Sequence, residues 1–314
     1  MNRIGAGDLA VFPLALGTSA FGWTSDESMS VQVLDAYAAA GGNFIDTADS
    51  YSAWVPGHSG GEAEAIVGRW MTARGNRDRV VVGTKVGRHP RFPGLSAAAV
   101  RAAADASLRR LRTDRIDICY AHADDRSVPI EETAEAFDAL VRAGKVRRLG
   151  VSHYSAERIR EWMRVARAGG LTPPAVMQPQ YGLVRRDAGE QDLVAVAAAE
   201  NLSVVPYFTS SSGFLTGQYR PEPALDGVSR PAGSAYFSHN GLWALDALET
   251  IAFARGVRPA TVALAWVRTR PGVVAPIVNA RTAQHLAGIL EGAALELSED
   301  ERAALDEISV RVLD

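Results

Sequence analysis

The chain holds one cysteine, Cys119, among its 314 residues. A lone thiol closes no internal disulfide, so a disulfide scaffold is excluded and a reducing cytoplasm is the expected setting. No apolar run reaches the roughly eighteen residues of a membrane span, and the start, MNRIGAGDLAVF, lacks the apolar stretch of a secretory signal. No Lys/Arg block stands out: 33 basic against 36 acidic side chains leave a formal charge of −3, which argues against a nucleic-acid or anionic-membrane surface. His58, His89, His239 and His285 show no metal-ligand spacing with cysteine or carboxylates, so no metal site is expected. No G-x-G-x-x-G lies between a strand and a helix, which removes the usual cofactor mark of a doubly wound sheet.

What is present is a rhythm. Eight β-rich runs recur: LALG at 14–17, NFIDTA at 43–48, VVVGTKV at 80–86, IDICYAH at 116–122, KVRRLGVS at 145–152, AVMQPQ at 175–180, LSVVPYF at 202–208 and VVAPIV at 273–278. Most are followed by helical periodicity. Ala63, Ile66, Val67, Trp70 and Met71 fall on one helix face that Gly75 closes, and Ser96 begins a helix with Val100, Ala104, Leu108 and Leu111 on one side. Ser155 starts a third, with Ile159, Trp162, Met163 and Ala166, and Ser298 with Glu301 forms a capping box. Strands that are apolar throughout and alternate with helices read as a parallel sheet buried on both faces. Eight such units in a chain of this size predict a (β/α)8 TIM barrel over 1–314, with a doubly wound sheet as the competitor. The stretch 209–241, rich in Gly, Pro and Ser, predicts a long loop over the catalytic face.

Four chemical groups then share one end of the barrel. Asp46, Lys85 and His122 stand at or just past the C-terminal ends of strands two, three and four, and Tyr51 lies in the loop after strand two. A phenol is a weak acid at neutral pH, but a neighbouring ammonium favours phenolate and is expected to lower its pKa. Asp46 would hold Lys85, and His122 would donate to the oxygen that Tyr51 protonates. Singly, each has an ordinary reading: strand-end cap, surface aromatic, snorkelling lysine, core histidine. The ordered set turns them into a candidate site. A strand-end lysine is also compatible with Schiff-base chemistry, which makes an aldolase using Lys85 an alternative. Trp23 and Trp54 follow strands one and two and are candidate walls of a substrate pocket.

These residues carry a family resemblance. LGTSAFG, DTADSY at 46–51, GTK at 83–85, GVSHYS at 150–155, QPQYGLVRR at 178–186, GFLTGQYR at 213–220 and NARTAQHL at 279–286 run in order through nearly the whole chain. The sequence resembles the aldo-keto reductase superfamily, and WVPGHSGGEAEAIVGRW resembles its bacterial branch, active on sugar-like or miscellaneous carbonyls. The resemblance implies a barrel that reduces a small aldehyde or ketone with NADPH, with Asp46, Tyr51, Lys85 and His122 as the catalytic tetrad. It further implies that Ser152, His153 and Gln178 hold the nicotinamide carboxamide, and that Tyr207 stacks on the nicotinamide. Ser210, Gly213 and Leu215 fall in the pyrophosphate loop. Arg281, which would open the helix after strand eight, falls on the adenosine 2′-phosphate with Gln284 and His285 beside it. Three residues depart from the family pattern: His153 stands for Asn, Ser210 for an apolar residue, and Ile289 for the Asn that meets adenine. Some barrels of the family are NADPH-holding regulatory subunits, which is the remaining alternative.

Overall fold

The computed structural model describes residues 1–5, 7, 9–184, 190–211, 213–216 and 238–311. A short antiparallel hairpin, β1 (Asn2–Ile4) with β2 (Leu9–Val11), precedes the first barrel strand, β3 (Ala15–Gly17). The chain then alternates: α1 (Glu27–Ala39), β4 (Phe44–Asp46), α2 (Glu62–Arg74), β5 (Val81–Val86), the small hairpin β6 (Arg88–His89) and β7 (Phe92–Pro93), α3 (Ala97–Leu111), β8 (Ile116–Ala121), α4 (Ile130–Arg142), β9 (Val146–Ser152), α5 (Ala156–Gly169), β10 (Pro174–Gln178), α6 (Glu190–Ala199) and β11 (Ser203–Val204). Two helices, α7 (His239–Arg255) and α8 (Pro259–Arg268), lead to β12 (Ile277–Asn279). Then α9 (Ala283–Ala294) and α10 (Glu299–Arg311) follow.

Eight strands pair in parallel in the order β11-β10-β9-β8-β5-β4-β3-β12. Closure of the ring runs through a parallel bridge between Val204 and Val273 and a bond from the Ile277 N–H to the Pro206 carbonyl at 2.8 Å. The eight expected runs are thus the eight strands of a (β/α)8 barrel. The interior packs Ala15, Phe44, Val81, Ile118, Tyr120, Val176, Val205 and Ile277 against Ile4, Leu9 and Val11 of the first hairpin, so that hairpin closes the end opposite the candidate site. A second apolar layer lies between the sheet and α1 to α5, and a third joins α7, α8 and α10.

The local signals behave as their chemistry dictates. Gly75 closes α2 in the left-handed region at φ 56°, where a side chain would strain the backbone. The Ser96 and Ser155 hydroxyls accept from the Ala99 and Arg158 amides, and Ser298 and Glu301 exchange both bonds of the capping box. Two expectations need correction. The loop over 209–241 ends at Ser238, whose hydroxyl caps α7, so 239–241 are helical; residues 212 and 217–237 lie outside the described residues. Arg281 does not open the last barrel helix: Thr282 is the cap, its hydroxyl accepting from His285, and Arg281 stands one residue ahead. Among the described residues no helix is long and apolar enough to cross a membrane.

Candidate active site

Register and side-chain alternation bring the four groups together. Asp46 is paired with Gly83 and Lys85 with Tyr120, which sets neighbouring strand ends at one level of the mouth. Lys85 is 1% exposed, and its ammonium makes three bonds: to Asp46 Oδ2 at 2.7 Å, to the Thr47 carbonyl at 2.8 Å and to Tyr51 Oη at 2.9 Å. Three donors meet three acceptors, so the buried charge is satisfied. Gln178 donates to the other Asp46 oxygen at 2.8 Å, and the Tyr51 hydroxyl reaches Oδ2 at 3.4 Å. The imidazole of His122 stands edge-on to the Tyr51 ring, centroids 6.4 Å apart, with Ser50 Oγ 3.4 Å from its Nδ1.

The electrostatics differ from the simple expectation at Tyr51. Burial raises its pKa, and the pull of Lys85 in the opposite direction does not cancel it, because Asp46 adds negative charge on the same side. The expected net lowering by Lys85 is therefore not found; the ammonium moderates an upward shift. Burial alone would lower the Lys85 pKa, but Asp46 and then Tyr51 outweigh it and leave it raised. An amine held so firmly as ammonium is a poor Schiff-base nucleophile. Burial, with Lys85, Arg88 and His153 nearby, pushes His122 down to about 2, so the ring is neutral across physiological pH and donates through whichever nitrogen holds its proton.

The residues expected on the cofactor side occupy the neighbouring strand ends. Ser152, buried at the end of β9, donates to the Gln178 backbone carbonyl at 3.0 Å. His153 is exposed and left-handed at φ 53°, and its Nε2 lies 3.2 Å from Tyr207 Oη with the rings 5.5 Å apart. Ser210 turns the chain, its carbonyl accepting from the Gly213 and Leu215 amides. The Leu215 side chain is fully buried in the α7/α8 layer, which leaves its backbone for a ligand. Arg281 and Gln284 are exposed at the N-terminal end of α9, and His285 is half-buried there. Burial lowers the His285 pKa, with Arg258 and Arg281 adding to the effect, so two guanidinium groups bear on one ring. Ile289, half-buried, packs on the apolar layer beside α1 and α8.

Trp23 and Trp54 stand at the mouth, 51% and 54% exposed, in an edge-to-face pair at 5.8 Å; Trp54 also meets the Tyr51 ring at 6.3 Å.

Three contributors escaped the sequence reading. The Thr47 carbonyl was invisible because a backbone acceptor leaves no residue signature. Arg258, at the cap of α8, is remote in sequence from Arg281. Tyr120 forms the floor beneath Lys85, and a signal for it exists: a Cβ at Gly83 would come within 3.2 Å of its ring and one at Gly150 would overlap it, so glycines in the flanking strands mark room for a large inward side chain.

Similarity to known proteins gives the family. The Aldo/keto reductase family model matches residues 13–310. The chain belongs to the aldo/keto reductase family. It is 33% identical to norsolorinic acid reductase A of Aspergillus parasiticus, across 95% of this chain and 77% of that protein. It is 31% identical to an aryl-alcohol dehydrogenase [NADP(+)] of Phanerodontia chrysosporium, across 95% and 83%, and 31% identical to the uncharacterized oxidoreductase YrpG of Bacillus subtilis, across 97% and 94%. This aldo/keto reductase is an oxidoreductase, and carbonyl reduction is the activity its family supports.

Proposed function

We propose that this aldo/keto reductase reduces a carbonyl compound with NADPH, and that Tyr51 gives the proton. One observation carries the reading: a buried ammonium, fixed by Asp46 at 2.7 Å, donates to the Tyr51 oxygen at 2.9 Å. That bond is stronger to phenolate than to phenol, so it grows as the proton leaves and lowers the barrier to transfer. Asp46 keeps Lys85 charged and in place. Neutral His122 donates to the substrate oxygen and orients it against Tyr51 Oη.

NADPH supplies the hydride when bound. The residues fit such a group: Arg281 and Arg258 gather positive charge around the His285 ring at the N-terminal end of α9, where the helix dipole adds to it, a donor set matched to a phosphate. The Tyr207 ring, held by His153 and Gln180, offers a flat face beside Ser152. NADP(+) in the name of the aryl-alcohol dehydrogenase relative supports the same choice. The buried, free Cys119 suits a reducing cytoplasm.

Between a sugar-like and an aryl carbonyl, the mouth favours the aryl one. Two half-exposed indoles at right angles, one of them against the candidate acid, form an apolar corner for a flat ring. The test is a panel of aryl, alkyl and sugar aldehydes and ketones scored by NADPH consumption, with Tyr51→Phe alongside. Turnover that the Phe variant loses is expected. No consumption with any carbonyl would favour an NADPH-holding regulatory subunit, and wild-type turnover by the Phe variant would remove Tyr51 as the acid.

A further inference from the structure

Directly behind the tetrad, on the outer face of the same strands, lies a second polar cluster that the reductase mechanism does not use. Thr84 and Cys119 are register partners, next in sequence to the inward pair Lys85 and Tyr120, and point the opposite way toward α2 and α3. Thr84 Oγ1 donates to Glu64 Oε1 at 2.6 Å, and Arg110 Nε donates to Glu64 Oε2 at 2.6 Å while its Nη2 reaches Ser107 Oγ at 3.2 Å. Glu64 is fully buried and both of its oxygens are met, one of them by the Arg110 guanidinium.

Asp49 completes the cluster and differs from it. Its backbone N–H donates to the Lys85 carbonyl at 3.1 Å, and it precedes Tyr51 by two residues, so it is tied to both active groups through the main chain. The residue is 0% exposed, yet neither carboxyl oxygen has a hydrogen-bond partner among the described residues. The charge count is decisive. Glu64 and Arg110 already cancel, and a second carboxylate would be an uncompensated charge in a dry layer, which a protein avoids by keeping the proton.

We propose that Asp49 is held as a neutral carboxylic acid behind Lys85, as a positioning residue whose loss of a proton disables the site. Its surroundings agree. Burial, then the Glu64 carboxylate, pushes the acid up to about 8, against the opposing pull of Arg110 and Lys85. Cys119 on β8 is no competitor, since burial, Asp49 and Glu64 hold its thiol far above its usual range. Ionised Asp49 would place negative charge behind Lys85 and raise the Tyr51 pKa further, making the phenol a weaker acid. Tyr51 and Lys85 are both shifted up and His122 lies near 2, so an alkaline fall in rate near pH 8 would belong to Asp49.

Only the kinetic consequence rests on the reductase reading. The protonation state is read without turnover, by infrared spectroscopy of the whole protein across pH. At about pH 6, where ordinary carboxyls are ionised, a carboxylic-acid C=O band should persist and then disappear with a midpoint near 8. Asp49→Asn should abolish that band and Tyr51→Phe should keep it. Glu64→Gln, which removes the like charge, should move the midpoint down.

Stability gives a second reading. Between 3.8 and about 8 the unfolded chain releases the Asp49 proton and the native one keeps it, so this group makes stability fall as pH rises through that window. Subtracting the Asp49→Asn curve from the wild-type curve should expose that fall. If a substrate is turned over, Asp49→Asn should also shift the alkaline midpoint of kcat upward by about a unit or more, whereas a purely structural role would lower the rate equally at every pH. No band in the wild-type protein at about pH 6, or a band that survives Asp49→Asn, would overturn the proposal. So would a band midpoint unchanged by Glu64→Gln together with an alkaline kcat midpoint unchanged by Asp49→Asn.

Discussion

The two halves of the barrel mouth are built on opposite terms. Across β4, β5 and β8 the charges are buried and mutually satisfied: Lys85 spends all three donors on Asp46, Thr47 and Tyr51, and Gln178 occupies the remaining Asp46 oxygen. Across β9 to β12 only Ser152 and Gln178 of the candidate ligand-facing side chains are buried polar groups, while His153, Tyr207, Ser210, Arg281, Gln284 and His285 are exposed or half-exposed. Left-handed non-glycine backbone occurs in both: Ser52, next to Tyr51, at φ 70° in the first half, and His153, Phe208 and Ser211 at φ 53°, 71° and 51° in the second. The first half needs no ligand to fix its geometry, as proton transfer requires groups aligned beforehand. The second keeps Arg258 and Arg281 at the surface, where the phosphate of the proposed nucleotide would meet them without a large desolvation cost.

The largest effect should therefore come from breaking a buried charge pair in the first half. Lys85→Met leaves Asp46 ionised at 1% exposure with no cation beside it, and a loss of about 3–5 kcal/mol of unfolding free energy is expected in denaturant titrations. A cost within about 1 kcal/mol would mean that the pair contributes little to the rigidity of this half. Lysine also separates reductase from aldolase. The chain has only two lysines, Lys85 and Lys145, so borohydride trapping with a carbonyl substrate followed by mass mapping is unambiguous, and no adduct on Lys85 is expected.

Next in size is Tyr51→Phe, which keeps the ring against Trp54 and removes the proton. A fall in kcat of at least ~10²-fold is expected with NADPH affinity nearly unchanged, if, as proposed, chemistry sits in one half and nucleotide binding in the other. Equal losses in both would merge the halves.

The same division governs how much the sequence disclosed. Strand positions were readable because each strand is apolar on both faces, and the tetrad was readable because its members stand at strand ends, whose level the barrel fixes. Contributions that pass through the backbone were not readable, as with the Thr47 carbonyl or the Asp49 amide on Lys85. Leu215 shows a second limit: the motif does not separate backbone from side chain, and here the apolar side chain goes to the core, where burial stabilises it by about 1.5–3 kcal/mol, while its backbone stays available to a ligand. The Tyr51 shift failed for a third reason. Its direction depends on a balance of burial, Lys85 and Asp46, and residue identities do not give the degree of burial.

In the second half, Arg281→Met should weaken NADPH roughly ten- to a hundredfold and leave NADH almost unchanged, since NADH lacks the 2′-phosphate that the guanidinium would meet. Arg258 bears on the same His285 ring, so Arg258→Met should add a smaller loss of the same selectivity. Titration of both nucleotides by nicotinamide fluorescence checks this. Equal losses for the two would show that neither arginine reads the phosphate.

The smallest expected effect lies where the halves give way to the rim. Trp54 touches Tyr51 on one side and Trp23 on the other, and more than half of its surface is open, so it can lend a face to a substrate ring without disturbing the proton donor. An aromatic pair contributes about 0.5–1.5 kcal/mol beyond its buried area, so Trp54→Leu, which keeps an apolar surface but no ring, should raise KM for aryl carbonyls about two- to tenfold. Alkyl carbonyls of similar size should change by less than about twofold, because leucine still offers them contact area. The diagnostic quantity is the ratio of the two kcat/KM values, which cancels any general disturbance of Tyr51. A ratio unchanged by Trp54→Leu, or a loss that falls equally on sugar aldehydes, would make the indole pair a wall of general shape rather than a seat for aromatic rings.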